Sequence, residues 1–188
     1  MIAVGVAVAF FIVTIVLAHF LAPSEYNWKL NTVSDLGSQK YKNAWLMRTG
    51  FIGFGVLLST ALLPPFIYAE EKNYSDLPIV IYALNVLLTG VFSAAPFTHS
   101  SIFSVVEDKL HSLFAQIAGI AFSCGVFWHS SIYSDPNQKI TNFVLFAFII
   151  GFSALIGLSK KRIIKIGLGL LQRGLYLVSF LWLLFRYT

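Results

Sequence analysis

Charged residues are scarce in this sequence. Asp, Glu, Lys and Arg make up 11% of the 188 residues, whereas hydrophobic residues make up 57%. Soluble domains carry about 25% charged residues, and a soluble domain this apolar would expose large hydrophobic patches to water. The composition therefore excludes an ordinary soluble domain and indicates an integral membrane protein.

Cysteine is also nearly absent. The single residue, Cys124, excludes a disulfide framework and a cysteine-based metal motif. Because Cys124 lies within an apolar run, it is expected to behave as a small buried hydrophobic residue. The net charge of +5 comes without a basic stripe interleaved with aromatic residues, so nucleic acid is not expected as a partner.

Long apolar runs are what the sequence does contain. A spanning helix needs about 20 mostly apolar residues, and six runs meet or approach that length: 2–21, 44–68, 77–97, 110–133, 140–158 and 163–185. The first run lacks a basic leader and is expected to remain as a helix. We predict an all-α, polytopic integral membrane bundle of six transmembrane helices, forming one transmembrane domain over residues 1–188. A row of small residues in the fourth run (Ala115, Gly119, Ser123) predicts close helix packing.

The basic residues are distributed unevenly between the two ends of this bundle. We call the end that carries the first, third and fifth loops face B, and the opposite end face A. Face B holds eight basic loop residues and face A three: Lys29, Lys40, Lys42, Lys109, Lys160, Lys161, Arg162 and Lys165, against Lys72, Lys139 and Arg186. The positive-inside rule predicts a multi-pass protein of the plasma membrane, with face B in the cytoplasm and both termini extracytoplasmic.

Most of the ionisable residues inside or beside the runs gather at face B. His19, Arg48, His111 and Arg173 all lie near that end, beside a polar first loop at residues 31–37. Charges within a membrane are costly and require partners. The arginines require a carboxylate (Asp35, Glu107 or Asp108) or a lipid phosphate. Two interpretations stay open: internal ion pairs that hold the bundle together, or a polar pocket that binds a ligand.

The pocket interpretation assigns candidate roles. As a catalyst, His111 acts as general base, oriented by Asp108 or Glu107 at positions i−3 and i−4. Asp35 then acts as its partner or as nucleophile, and Ser34 is a second candidate nucleophile. The candidate substrate-binding residues are Arg48, Arg173, Asn31, Gln172 and His19, with the arginines holding a phosphate or carboxylate.

A metal site is a weaker hypothesis. His19, His99 and His111, with Asp35, have the residue types that zinc uses. No pair of them has the close spacing of a helical metal motif, so the cofactor stays unknown.

Several of these residues lie in segments that resemble a known family. Residues 31–37 (Asn-Thr-Val-Ser-Asp-Leu-Gly) are followed by 47–51 (Met-Arg-Thr-Gly-Phe), by His111 at a helix start, and by 171–174 (Leu-Gln-Arg-Gly). In this order they resemble the multi-helix membrane proteins grouped as domain of unknown function 998 (DUF998). The resemblance covers nearly the whole chain and implies a fold and a site location, not a reaction.

One segment departs from the family pattern, and two further comparisons are more distant. Residues 95–98 read Ala-Pro-Phe-Thr, where the family has a Phe-Pro-x-Asp-like segment, so a role that depends on that aspartate is in doubt here. The layout is distantly similar to Frag1/DRAM/Sfk1 proteins, some of which are linked to remodelling of glycolipid anchors. The zinc-dependent ceramidase and adiponectin-receptor type has similar residue types but a different spacing, and is a chemical analogy only.

Three function classes follow. The first is a membrane-embedded enzyme that acts on a lipid or lipid-like substrate at face B. The second is a non-catalytic binder or transport component that holds a lipid headgroup or a small anion, for which a homo-oligomer would supply the helices that one chain lacks. The third is an accessory subunit whose polar cluster is a structural ion-pair network. The sequence favours lipid-directed binding or chemistry without naming the substrate.

Overall fold

A computed structural model describes residues 2–68, 74–98 and 102–188. The described chain contains six α-helices and two short 3-10 turns, Ser34–Gly37 and Tyr74–Asp76. All six helices, the third counted with its preceding 3-10 turn, are long and apolar enough to cross a membrane, which confirms the expected all-α bundle. The helices are α1 Ile2–Phe20, α2 Ala44–Tyr68, α3 Leu77–Val91, α4 Val105–Ile132, α5 Pro136–Lys160 and α6 Leu168–Tyr187.

The ends of several helices differ from the predicted runs because polar caps set them. The third run was predicted to extend to residue 97, but α3 ends at Val91 and Phe92 is extended. Helix α4 begins before residue 110 because the Ser104 hydroxyl accepts the amide of Glu107 at 3.3 Å. Helix α5 begins before residue 140 because the Asp135 carboxylate accepts two amides of its first turn.

Consecutive helices pack against each other, and α1 also contacts α6. Helices α2 and α3 lie close together at two glycines: a Cβ on Gly55 would overlap the backbone of Leu87, and one on Gly90 would overlap the backbone carbonyl of Arg48. Phe11 of α1 lies at the centre, in ring contact with residues of α2 and α6. Helix α5 is peripheral and buries only Asn142 and Ile149.

The outer surface of α4 differs from two expectations. The predicted small-residue row does not bring helices together within the chain, since a Cβ on Gly119 would meet nothing within 4 Å. Cys124, predicted to be buried, is exposed. The core-facing residues of α4 lie on its other side, including Ala118, Phe122 and Val126.

Candidate functional site

The first loop, residues 21–43, folds back over the start of α6 at face B. The amide of Gly169 donates to the Leu30 carbonyl and the amide of Leu170 to the Lys29 carbonyl, both at 3.2 Å. The first amides of a helix have no partner within that helix, so the loop carbonyls satisfy them. Gly169 makes this approach feasible, because a Cβ there would overlap the carbonyl oxygens of Trp28 and Asn31.

Arg173, one turn further along α6, also holds the first loop through hydrogen bonds. Its Nη1 donates to the carbonyls of Trp28 at 2.8 Å and Asn31 at 3.1 Å, and to its own helix at Gly169. Its Nη2 donates to the Tyr26 hydroxyl at 2.6 Å, and that hydroxyl donates in turn to the Thr32 carbonyl at 2.9 Å. Burial raises the pKa of the Tyr26 phenol, and the neighbouring guanidinium opposes that shift.

The charge of Arg173 has no carboxylate partner in the described part of the chain. The ion pairs found there lie at face A and involve Asp76. The Nε–H and one Nη2–H of Arg173 contact no acceptor among residues 2–68, 74–98 and 102–188. The ion-pair interpretation is therefore wrong for Arg173, and its guanidinium keeps two donors that have no acceptor in the described part of the chain.

Gln172 holds the loop beside Arg173. Its Oε1 accepts the amide of Val33 at 2.6 Å, and its Nε2 lies 3.4 Å from the Ser34 hydroxyl. Gln172 and Arg173, which were predicted to bind a substrate, thus position the first loop. The backbone carbonyl of Asn31 accepts a hydrogen bond from Arg173, and its side-chain oxygen accepts one from the amide of Asn27 at 2.9 Å.

Asp35 forms a reciprocal cap with Thr32 at the 3-10 turn. Its Oδ2 accepts the Thr32 amide at 2.7 Å, and its own amide donates to the Thr32 hydroxyl at 3.2 Å. This is the arrangement of a capping box. Burial raises the pKa of the Asp35 carboxyl above its usual 3.8, and the hydrogen bonds from Thr32 oppose the shift.

Arg48 caps the end of α3 and pairs with no described carboxylate. Its Nε donates to the Gly90 carbonyl at 3.2 Å and its Nη2 to the Val91 carbonyl at 2.6 Å. A cation at a helix C-terminus also compensates the negative end of the helix dipole. The ion-pair interpretation is wrong for this arginine too, and its position accounts for the early end of α3.

His111 lies against the same end of α3. Its Nδ1 is 2.9 Å from the Thr89 carbonyl and 3.0 Å from the Phe92 carbonyl. Carbonyl oxygens only accept, so Nδ1 carries the proton and Nε2 keeps a lone pair in the neutral ring. The prediction that Glu107 or Asp108 orients this imidazole is wrong.

The two acids hold the segment after α3 instead. Glu107 accepts the amide of Ser93 at 3.2 Å and Asp108 accepts the amide of Ala95 at 2.7 Å. Gln39 of the first loop joins this segment to the start of α4, since its side chain bonds the backbone of Ser93 and Ser104.

His19, Asp35, Arg48, His111 and Arg173 therefore all lie at face B, but the hydrogen bonds of Asp35, Arg48, His111 and Arg173 form two separate groups. Arg48 and His111 cap α3, whereas Asp35 and Arg173 shape the first loop. No described hydrogen bond joins His111 to Ser34 or Asp35, so their catalytic roles stay predictions.

A groove opens beside the first-loop cluster. It has a volume of about 350 Å³, within the range of small-molecule sites. One wall is the last two turns of α1, and Arg173 and His19 are the ionisable residues of a mostly apolar lining. The lining residues are Ile15, Val16, His19, Phe20, Trp28 and Arg173.

A metal centre finds no support in the described residues, where no three His, Cys, Asp or Glu side chains come close enough to share an ion. His99 lies outside the described residues, so the predicted set of His19, His99 and His111 is not described in full.

Face A holds a polar cluster that the sequence reasoning missed. The fully buried His129 of α4 receives the Nε–H of Arg186 at Nδ1, at 3.1 Å. Its Nε2 therefore carries the proton and lies 3.0 Å from Asp76 Oδ1, without the alignment of a hydrogen bond. Tyr187 donates its hydroxyl proton to Asp76 at 2.6 Å. The residues of this cluster lie at the end of α4, at the end of α6 and at the start of α3. Because six alternating helices place these three ends on the same side of the bundle, the helix order in the sequence could have predicted the cluster.

Comparison with known protein families gives a match over nearly the whole chain. A family model described as "Protein of unknown function (DUF998)" matches residues 4–185. No curated protein and no solved structure matches the chain.

Proposed function

Because this chain belongs to the DUF998 family, whose description assigns no activity, we propose its function from its own geometry. The chain binds an anionic amphipathic lipid at face B. The lipid phosphate lies on the Arg173 guanidinium, and an acyl chain lies in the groove along α1. The protein binds the lipid without catalysing a reaction, because the side chains of Ser34, Asp35 and Gln172 already hold the first loop.

The charge of Arg173 carries this proposal. An arginine at a membrane face normally faces a counter-charge, and this one finds only neutral acceptors in the described chain. Arginine presents its donors in a planar fork that fits a phosphate with two hydrogen bonds. The unused Nε–H and Nη2–H are the donors that such a phosphate would take.

The shape of the groove supports an amphipathic ligand. Ile15, Val16 and Phe20 give it an apolar wall, and Val16 and Phe20 are exposed on the outer surface of α1. His19 and Trp28 lie beside Arg173, and both residue types suit the boundary between headgroups and acyl chains. An apolar wall beside an arginine supports a ligand that carries an acyl chain and an anionic headgroup.

Lipid counting by native mass spectrometry tests the proposal. The purified chain is mixed with phosphatidylglycerol or phosphatidylcholine, and the first bound lipid is titrated. We expect phosphatidylglycerol to bind more tightly, and Arg173→Gln to weaken it about tenfold or more through loss of a charge-assisted contact. Arg162→Gln is the matched control, because it removes the same charge from an exposed position at face B.

A second variant separates binding from the role of Arg173 in the first loop. Val16→Trp fills the groove from an exposed position and leaves Arg173 unchanged. It should lose phosphatidylglycerol binding while the protein stays folded by circular dichroism. Equal affinity for both lipids, or unchanged affinity in Val16→Trp, would contradict the proposal.

A further inference from the structure

Gln116 is a polar side chain on the outer surface of a spanning helix. It follows the start of α4 by eleven residues (105 to 116), roughly 17 Å along the helix axis. The side chain is exposed and makes no hydrogen bond to a described residue. A side-chain amide has two donor hydrogens and an accepting oxygen, and each unsatisfied group costs several kcal/mol in hydrocarbon.

The surface around Gln116 allows a second helix to approach α4 closely. A Cβ on Gly119 would meet nothing within 4 Å, so the backbone of α4 is open there. Ile120 is 66% exposed, and the Ser123 hydroxyl is already satisfied by the Gly119 carbonyl at 2.9 Å. Residues three, four and seven positions apart share one face of a helix. Gln116 is thus the one side-chain group of this patch that still needs a partner.

We propose that this patch of α4 binds the same patch of a second copy of the chain. All copies inserted in one orientation carry Gln116 at the same depth, so two parallel α4 helices bring the two amides together. An amide is self-complementary, since its N–H can donate to the carbonyl of its copy. A two-fold axis along the membrane normal, passing near Gly119, satisfies both amides at once.

The properties of the patch favour a second copy over other occupants. An acyl chain offers no hydrogen bond to Gln116, and a different membrane protein would need a polar group at the same depth. A second copy supplies that group automatically. The proposal does not depend on lipid binding at Arg173, which lies on α6.

Glycine variants give a matched test. Gly119→Leu and Gly151→Leu both place a side chain where a Cβ meets nothing, so neither should disturb the single chain. Dimerisation is measured by energy transfer between labelled chains in phosphatidylcholine vesicles, as the protein-to-lipid ratio is lowered. We expect Gly119→Leu to abolish transfer, Gly151→Leu to leave it unchanged, and Gln116→Leu to weaken association about tenfold.

Cross-linking locates the contact. Cys124→Ala gives a chain without cysteine, to which Ile120→Cys on α4 or Val13→Cys on α1 is added. Both positions are exposed, at 66% and 55%. A short bis-maleimide should link Ile120→Cys into a dimer and leave Val13→Cys monomeric. A chain that stays monomeric at every ratio, or Gly119→Leu and Gly151→Leu behaving alike, overturns the proposal and leaves lipid or another protein as the occupant.

Discussion

Substituting Gly169 by alanine is predicted to release the first loop from α6. A Cβ at this position would overlap the carbonyl oxygens of Trp28 and Asn31 and lie 3.0 Å from Arg173 Nη1. Backbone oxygens cannot rotate away as a flexible side chain can. The overlap therefore has to be relieved by moving the loop.

The expected loss of stability in Gly169→Ala follows from the hydrogen bonds that would be lost. Two backbone bonds join the loop to Gly169 and Leu170, and two guanidinium bonds join it to Arg173. At about 1 kcal/mol for each backbone bond and about 1.5 kcal/mol for each bond to a charged donor, undocking costs roughly 5 kcal/mol. Alanine returns about 1 kcal/mol through its higher helix propensity, so the net cost is roughly 4 kcal/mol.

Unfolding by sodium dodecyl sulfate, followed by tryptophan fluorescence, measures the cost. Trypsin cleavage after Lys29, which lies in the docked loop, reports whether the loop has been released. Gly151→Ala is the control, since its Cβ meets nothing, and it should be as stable as the parent or slightly more so. If Gly169→Ala matched Gly151→Ala in both assays, the docking of the loop on α6 would be refuted.

Two further predictions concern the polar groups at each face. At face A, Asp76→Ala should destabilise the chain by about 2–4 kcal/mol, because it leaves Arg186 without its carboxylate partner and the Tyr187 hydroxyl without its acceptor. Asp135→Ala, which removes only a helix cap, should cost about 1 kcal/mol in the same unfolding assay, and equal costs would show that the face A cluster adds nothing. At face B, burial raises the pKa of Asp35 above 3.8, so the folded chain binds its proton more readily than the unfolded chain. The stability contributed by Asp35 is therefore present at acid pH and is lost as pH rises through the folded pKa. Asp35→Asn should remove this loss, so the unfolding free energy should change less between pH 4 and about pH 7. An unchanged pH dependence would contradict the raised pKa of Asp35.

The six helices could be predicted because the bilayer requires long apolar runs, but several of their ends could not. Helix α3 ends at Val91 because Arg48 and His111 bond to carbonyls of its last turn, and these contacts span 22 to 43 positions of sequence. The start of α4 was predicted at residue 110 and lies at Val105, although Ser104 followed by Glu107 is a recognisable capping pattern that indicates the earlier start.

The gathering of polar residues at face B could also be predicted, because topology alone places them there. Their partners could not. Sequence reasoning pairs arginine with carboxylate, whereas Arg48 and Arg173 both find backbone carbonyls. Which carbonyls a folded loop presents depends on its backbone path, and no residue type in the sequence encodes that path.

The most direct test of the lipid site is the distance between Arg173 and a lipid phosphorus. Solid-state nuclear magnetic resonance measures it through the dipolar coupling between ¹⁵N-labelled arginine and ³¹P, in bilayers of phosphatidylglycerol. A phosphate hydrogen-bonded to the guanidinium places nitrogen and phosphorus roughly 4 Å apart, and the signal should disappear in Arg173→Lys but persist in Arg162→Lys. Coupling that is absent from the parent chain, or that survives in Arg173→Lys, would contradict the account.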